Sequence, residues 1–227
     1  MSGILYGVGL GPGDPDLITV KSSRLISQAR VIAYPSLAGG ESFARSIAAD
    51  LISPDTEEIV MDVPMTVERA PAQAAYDIGA KNIAAVLDRG EDVVCLCEGD
   101  PFFYGSFMYL YARLVADYQV EVVPGVTSIT TCAARAGMPL AARNERLTVL
   151  PGPLPAEELR ARIEGAESVA IMKVGRHLSK IRAVIADLGL TDKAAYIERA
   201  SLPDELVCPL AQAPETAPYF SMIILTK

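Results

Sequence analysis

The chain has 227 residues, of which 51% are hydrophobic and 21% charged, and its formal net charge at pH 7 is −8. This composition supports one large or two small folded domains and excludes global disorder. The acidic balance argues against a nucleic-acid binder, which would present a basic face. Because no uncharged run reaches the roughly 18 residues of a membrane span and the N-terminus lacks a basic signal region, we expect a cytoplasmic protein without membrane contact.

Short apolar runs alternate with amphipathic helical patterns in the first half of the chain. This alternation predicts an α/β domain with a mostly parallel sheet, whose ligands bind beyond the carboxyl ends of its strands. The predicted strands are Ile4–Gly9, Val31–Tyr34, Glu58–Met61, Asp92–Cys97 and Val120–Val123. The predicted helices are Val20–Ala29, Ser42–Leu51, Ala70–Asp88 and Ser106–Ala116.

The second half has more strands for each helix, which predicts a mixed α/β unit. Its predicted strands are Leu147–Leu150, Ser168–Lys173, Ala194–Glu198, Glu205–Pro209 and Phe220–Thr226. Its predicted helices are Ala156–Glu164 and Leu178–Leu188, and a further helix begins near Thr127. We therefore expect an N-terminal domain of residues 1–126 and a C-terminal domain of residues 127–227, with the ligand in a cleft between them.

A glycine-rich loop, GVGLGPGDP at Gly7–Pro15, follows the first predicted strand. A Rossmann fingerprint needs a third glycine three residues after the second, but the three possible registers place Pro12, Asp14 or Asp16 there. The second strand also lacks the acid that would bind ribose hydroxyls. The loop is therefore not a dinucleotide fingerprint, and either Asp14 or Thr19 is expected to cap the helix that follows.

Two further loops follow the fourth and fifth predicted strands. The first of them, Cys97–Ser106, has two acids that could bind ribose hydroxyls or cap the next helix, and three aromatics that could line a flat pocket or be buried core. The other, Val123–Ser128, opens a helix whose free N–H groups could face a ligand while Thr127 or Ser128 caps it.

The four cysteines do not form a metal-binding pattern. Cys95 and Cys97 lie two apart in a predicted strand and therefore point to one face, where free cysteine packs as a small hydrophobe. A metal site would need more ligands at suitable spacing, and the chain has a single histidine, His177. We expect structural cysteines and no metal.

In combination, these loops resemble those of the tetrapyrrole methylases, which are S-adenosylmethionine-dependent enzymes of corrin and sirohaem synthesis. The likeness is carried in chain order by Gly9–Pro15, Glu98–Gly105 and Pro124–Ser128. The resemblance implies two α/β domains with the cofactor in the cleft between them, usually in a homodimer. It also implies a tetrapyrrole substrate and S-adenosylhomocysteine as the product of the cofactor.

Finer motifs resemble the precorrin-2 C(20)-methyltransferase branch of that family. They are Tyr34-Pro35, Pro64-Met65-Thr66, Phe102–Leu110, Met172–His177, Glu198–Pro203 and Pro218–Met222. This branch methylates carbon 20 of precorrin-2 to give precorrin-3A on the route to cobalamin. Two alternatives stay open: a cobalt-factor II C(20)-methyltransferase of the anaerobic route, and a non-catalytic cofactor-binding module.

The resemblance also assigns site residues, position by position. Those implied to contact the cofactor are Pro12, Glu98, Gly99, Asp100, Phe103, Thr127, Ser128, Val174 and Ala200. Methyl transfer from a sulfonium is an in-line displacement that chiefly needs orientation, so no nucleophilic triad is expected. Any base that removes a proton is undetermined, with Tyr104, Glu98 and His177 as candidates.

Arginine suits the carboxylates of a tetrapyrrole because its forked donors match a carboxylate. The candidates in or near loops are Arg143, Arg146, Arg176 and Arg199. Each could equally be a solvated surface charge or a member of a structural ion pair.

Overall fold

The computed structural model describes residues 2–37, 40–64 and 69–227. It divides into two compact units, Met1–Thr127 and Ser128–Lys227, and each unit contains a five-stranded sheet. The predicted fold class, with a parallel and a mixed α/β sheet, is confirmed. The functional domains 1–126 and 127–227 stay a prediction, and Met65 and Thr66 of the Pro64-Met65-Thr66 motif lie outside the described residues.

The first unit is a parallel sheet with the strand order β3-β2-β4-β1-β5. Its strands are β1 (Ile4–Gly9), β2 (Val31–Ser36), β3 (Glu57–Asp62), β4 (Val93–Cys97) and β5 (Gln119–Val123). Its helices are α1 (Val20–Gln28), α2 (Phe43–Ile47), α3 (Arg69–Leu87) and α4 (Phe107–Leu114). All the elements predicted for this half are present, with α2 shorter because a 3₁₀ turn replaces its predicted end.

Strand β4 lies in the middle of the sheet and is buried on both faces. Cys95 and Cys97 pack with Leu5 in one core cluster, whereas Val94 and Leu96 pack in the other. This alternation is the period-two pattern of a strand with helices on both sides. Both cysteines are free and buried, as a structural role predicts.

The strand order places the carboxyl ends of β1 and β4 side by side, where the direction of the chain connections reverses. The loop after β1 ends in a cap, because Thr19 Oγ1 accepts a hydrogen bond from the Ser22 N–H at 3.1 Å and starts α1. Asp14 accepts from the Asp16 N–H at 2.9 Å and starts a preceding 3₁₀ turn. Both residues therefore act as caps, each for its own short helix.

The second unit has a mixed sheet with the strand order β6-β7-β10-β8-β9. Its strands are β6 (Leu147–Pro151), β7 (Ser168–Met172), β8 (Ala194–Glu198), β9 (Leu206–Pro209) and β10 (Ser221–Thr226). Its helices are α5 (Ser128–Ala136), α6 (Ala156–Glu164) and α7 (Leu178–Asp187). Only β6 and β7 are parallel neighbours among these pairs; β10 runs antiparallel to β7 and β8.

The register of the second sheet gathers several loops at one edge. Met172 pairs with Met222, and Glu198 pairs with Ser221, so the ends of β7 and β8 meet the start of β10. We call this side the carboxyl edge of the second sheet. It includes the loops that follow Met172 and Glu198, which contain the cofactor residues predicted for this unit.

None of the helices in residues 2–37, 40–64 and 69–227 has the length and apolar character that a membrane crossing requires.

Candidate functional site

The loops after β1 and β4 are joined backbone to backbone. The Gly11 N–H donates to the Gly99 carbonyl at 3.2 Å, and the Gly99 N–H donates to the Gly11 carbonyl at 2.8 Å. Both glycines have φ in the left-handed region, at +79° and +63°, which a side chain would disfavour. The pair fixes the position of Gly99 and its neighbours relative to the first loop.

Asp100 joins the loop after β4 to the loop after β5. Its Oδ1 accepts hydrogen bonds from the N–H groups of Phe102 at 2.9 Å and Phe103 at 3.1 Å. Its Oδ2 accepts from the Gly125 N–H at 3.1 Å. The N-terminus of α4, at Ser106, has no capping hydrogen bond from a side chain. Asp100 therefore caps the turn inside its own loop and not the helix.

Glycine is required where these three loops meet, for reasons of space. A Cβ added at Gly125 would lie 2.1 Å from the Gly99 carbonyl oxygen, and one added at Gly9 would lie 2.5 Å from the Gly125 nitrogen. Real Cβ atoms do not approach other atoms this closely. Gly9 and Gly125 therefore let the three backbone segments pack directly against one another.

The open side of this junction lies at Gly99 and Glu98. No atom would lie within 4 Å of a Cβ added at Gly99, so there is free space beside its backbone. The Glu98 side chain is exposed, and desolvation by the surrounding protein raises the pKa of its carboxyl. Pro12 of the first loop is half-buried.

The aromatic residues of the loop after β4 lie at the surface rather than in the core. Phe102 is 46% exposed and Tyr104 is 44% exposed, while Phe103 is half-buried with its ring edge-on to Tyr104 at 5.3 Å. Phe107, at the start of α4, is the aromatic that fills the core. Of the two sequence-based alternatives, buried core is wrong for Phe102 and Tyr104, and the lining of a flat pocket stays a prediction.

Tyr34, from a motif of the finer resemblance, has a structural role in the first unit. Its hydroxyl donates to the carboxylate of Glu58, which also pairs with Arg45 through Nε and Nη2 at 2.8 Å each. Burial, and to a smaller extent the carboxylate of Glu58, raises the pKa of Tyr34 to about 12. These contacts tie α2 to β2 and β3.

Thr127 and Ser128 lie where the two units join along the chain, Thr127 ending the first and Ser128 opening α5. Both are half-buried. Their contact with a cofactor stays a prediction.

In the second unit, Val174 and Ala200 both lie at the carboxyl edge of the second sheet. The Val174 side chain is fully buried, and its N–H donates to the Ser221 carbonyl at 3.5 Å. Ala200 is 8% exposed. A ligand directly beside these two residues would therefore meet backbone and one small side chain.

The same edge concentrates unusual backbone conformations. Three residues other than glycine have φ in the left-handed region there: Lys173 at +56°, Arg199 at +48° and Ser201 at +70°. Such residues are uncommon and cluster at functional sites. The amino-acid sequence gave no signal for them, because none is a glycine, asparagine or aspartate.

Two cations, Arg176 and Lys180, lie near His177 at this edge. Desolvation lowers the pKa of His177, and the charges of Lys180 and Arg176 lower it further. Lys180 Nζ donates to the Gly152 carbonyl at 2.9 Å and to the Leu154 carbonyl. Lys180 thereby ties the loop after β6 to α7, a contact between distant residues that sequence reasoning missed.

The four candidate arginines differ in position and pairing. Arg146 is exposed, and its Nε lies 3.1 Å from Glu167 Oε2. It directly precedes β6 and therefore lies at the opposite end of the sheet from Val174. Arg199 Nη1 lies 3.4 Å from Glu198 and 3.2 Å from Asp204.

Arg143 and Arg176 are exposed, and Arg143 has a left-handed φ of +50°. Arg176 and Arg199 therefore lie at the carboxyl edge with the predicted cofactor residues, whereas Arg146 does not. All four substrate assignments stay predictions.

Among the described residues, no group of three or more His, Cys, Asp or Glu side chains is placed to hold a metal ion.

Comparison with known proteins identifies close relatives. The family model of the Tetrapyrrole (Corrin/Porphyrin) Methylases matches residues 4–214. The chain is 41% identical to a precorrin-2 C(20)-methyltransferase of Sinorhizobium sp, over 99% of this chain and 97% of the relative. It is 32% identical to a cobalt-precorrin-2 C(20)-methyltransferase of Salmonella typhimurium, over 100% and 98%.

Among solved structures, the chain is similar to the uroporphyrin-III C-methyl transferase of Thermus thermophilus in complex with S-adenosylhomocysteine. The TM-score is 0.71 at 26% identity, covering 99% of this chain and 98% of the other.

Proposed function

Because the chain belongs to the tetrapyrrole (corrin/porphyrin) methylases, we propose that it is an S-adenosylmethionine-dependent precorrin-2 C(20)-methyltransferase. It would convert precorrin-2 and S-adenosylmethionine into precorrin-3A and S-adenosylhomocysteine in cobalamin biosynthesis. The observation that carries this proposal is the 41% identity to a relative of that name over nearly the whole of both chains. The joined loops at the reversal point of the first sheet support it, because ligands of parallel sheets bind there.

The residues of the first unit fit the cofactor. When bound, S-adenosylmethionine supplies a methyl group activated by the positive sulfur. The exposed Glu98 carboxylate is suited to accept hydrogen bonds from ribose hydroxyls, and the open space at Gly99 admits a ligand close to the backbone. The Asp100 carboxylate already accepts three backbone hydrogen bonds, so we assign it the task of holding the loop in place.

The remaining cofactor residues supply surface rather than charge. Pro12 and Phe103 give half-buried apolar contact beside the joined loops, and Thr127 and Ser128 offer hydroxyls and N–H groups to the carboxylate of the cofactor. In the second unit, the backbone of Val174 and the small side chain of Ala200 suit a flat adenine ring. A cofactor held between the two units stays a prediction.

The reaction needs orientation more than activation. A bond forms between the methyl carbon and carbon 20, the bond from methyl to sulfur breaks, and the substrate afterwards loses a proton. Holding the two reactants in line can lower the barrier by roughly 7–11 kcal/mol.

Three residues are candidates to accept the proton, namely Tyr104, Glu98 and His177. The lowered pKa of His177 favours the neutral imidazole, which is the form that accepts a proton. The raised pKa of Glu98 makes its carboxylate a stronger base than usual. We assign none of the three as the base.

The substrate presents several carboxylates, for which Arg176 and Arg199 at the carboxyl edge are the better placed of the four arginines. We favour metal-free precorrin-2 because the relative named for it is more similar, 41% against 32% for the one named for the cobalt form. We further propose a homodimer in the cytoplasm, as the resemblance and the composition suggest.

Transfer of a labelled methyl group separates an enzyme from a binding module. The purified protein is incubated with precorrin-2 and S-adenosylmethionine that carries a radioactive methyl, and the tetrapyrrole is then isolated. Label in the tetrapyrrole supports the enzyme. Tight binding of S-adenosylhomocysteine in calorimetry with no label transferred to metal-free or cobalt-loaded substrate would favour the module.

A further inference from the structure

Glu205 connects three segments of the second unit with one carboxylate. It lies just before β9, and its side chain is 13% exposed. Oε2 accepts a hydrogen bond from the Ser201 N–H at 2.6 Å. Arg135, in the last turn of α5, donates from Nε to Oε1 at 2.7 Å, and its Nη2 lies 2.7 Å from the same oxygen. The turn after β8, the start of β9 and α5 are thus linked.

The turn that Glu205 holds is strained on both sides of Ala200. Arg199 has φ +48° and Ser201 has φ +70°, both unusual for residues with side chains. Such a conformation persists only where surrounding contacts hold it firmly. The backbone contributes the bond from the Arg199 N–H to the Phe220 carbonyl at 2.9 Å. The Glu205 bond comes from a side chain, so a substitution can remove it without changing backbone atoms.

We infer that Glu205 is a positioning residue for the cofactor, acting through the backbone at Ala200. This inference rests on the proposed function, in which Ala200 lies against the adenine. By fixing the Ser201 N–H, the carboxylate keeps the Ala200 turn in the conformation that the adenine meets. By pairing with Arg135, it also couples this turn to α5, which begins at the predicted cofactor residue Ser128.

Glu167 provides a matched control, because its ion pair lies away from the carboxyl edge. It too pairs with an arginine, Arg146, and accepts a backbone N–H, that of Arg146 at 2.7 Å. It lies at the start of β7, at the opposite end of the same sheet from Ala200. Loss of Glu167 therefore removes the same kind of contacts away from the carboxyl edge.

The test compares Glu205→Ala, Glu205→Gln and Glu167→Ala in the full chain, by calorimetry with S-adenosylhomocysteine and by steady-state kinetics. We expect Glu205→Ala to weaken the binding of S-adenosylhomocysteine about tenfold. Loss of a hydrogen bond to a charged group costs about that factor. The KM for S-adenosylmethionine rises similarly, while kcat at saturating cofactor stays unchanged. Glu205→Gln keeps an acceptor for the Ser201 N–H, so its affinity lies between those of wild type and Glu205→Ala.

Wild-type affinity in Glu205→Ala, or an equal loss in Glu167→Ala, would overturn the inference. So would a Glu205→Gln protein as weak as Glu205→Ala, because the acceptor would then not matter. If Glu205→Ala does not fold, Glu205→Asp replaces it, with a smaller loss of affinity expected and wild-type affinity again contradicting the inference. Failure of the wild type itself to bind S-adenosylhomocysteine would instead refute the proposed function.

Discussion

Asp100 and Gly125 are joined by a hydrogen bond of 3.1 Å from the Gly125 N–H to Asp100 Oδ2. The bond connects the loop after β4 with the loop after β5, and the other carboxylate oxygen holds the N–H groups of Phe102 and Phe103. The two acids of this loop therefore differ in their surroundings. Asp100 shapes the loop from within, whereas Glu98 is exposed.

Loss of the Asp100 carboxylate should weaken cofactor binding by loosening this loop. We expect Asp100→Ala to reduce the affinity for S-adenosylhomocysteine at least tenfold, because each hydrogen bond to a charged group contributes about 1.5–3 kcal/mol. The affinity of Asp100→Asn should lie between those of wild type and Asp100→Ala. Its amide retains one acceptor but places a donor against the Gly125 N–H. Calorimetry measures the affinities, with the exposed Asp192→Ala as control. Equal affinities for Asp100→Ala and Asp192→Ala would contradict this role.

A side chain at Gly125 should damage both the fold and the site. The Cβ of Gly125→Ala would lie 2.1 Å from the Gly99 carbonyl oxygen, so the loops must separate. We expect the free energy of unfolding to fall by about 1–3 kcal/mol and cofactor affinity to fall with it. Gly165→Ala is the control, since its Cβ would meet nothing nearer than 3.8 Å at φ −86°. A Gly125→Ala protein as stable as Gly165→Ala in urea denaturation would contradict the close packing of the loops.

The Glu98 carboxylate should lower the stability of the folded chain at pH 7 and strengthen cofactor binding. Desolvation raises its pKa in the folded chain, so between the usual 4.5 and the raised value the folded state binds more protons, and stability falls as the pH rises through this window. Glu98→Gln should therefore be slightly more stable than wild type at pH 7, yet bind S-adenosylhomocysteine more weakly. Denaturation and calorimetry at pH 7 check both. Unchanged affinity would exclude Glu98 from the cofactor site.

The amino-acid sequence predicted the strands of both sheets because most of them are short apolar runs bounded by turn residues, as Val93–Cys97 shows. It also located the three loops of the first unit. It did not predict that Asp100 bonds to Gly125, since that contact joins residues 25 apart whose approach depends on the order of strands. Nor did it identify Lys180 or Glu205, whose partners depend on the turns of the folded second unit.

His177 offers a direct check of the electrostatics at the carboxyl edge. It is the single histidine, so its imidazole signals in NMR need no assignment. We expect it to titrate below 6.5, mainly through desolvation, and Lys180→Met to raise the midpoint only part of the way back. A midpoint at or above 6.5 in wild type would contradict the environment described.

The lowered pKa of His177 also predicts a pH dependence of stability. Below 6.5 the unfolded chain takes up the proton first, so the contribution of the neutral imidazole is complete above 6.5 and is lost as the pH falls through the folded pKa. Urea denaturation across this range should therefore show a steeper loss in wild type than in His177→Gln. Identical pH profiles would show that the folded protein does not disfavour the imidazolium.

The position of the transferred methyl group tests the central claim most directly. The protein is incubated with S-adenosylmethionine carrying ¹³C in its methyl group and with precorrin-2, and in parallel with the cobalt-loaded form, and the products are examined by NMR. We expect one new ¹³C-methyl signal, on carbon 20, with faster transfer to the metal-free substrate. A methyl group on any other position of the macrocycle would contradict the proposed reaction.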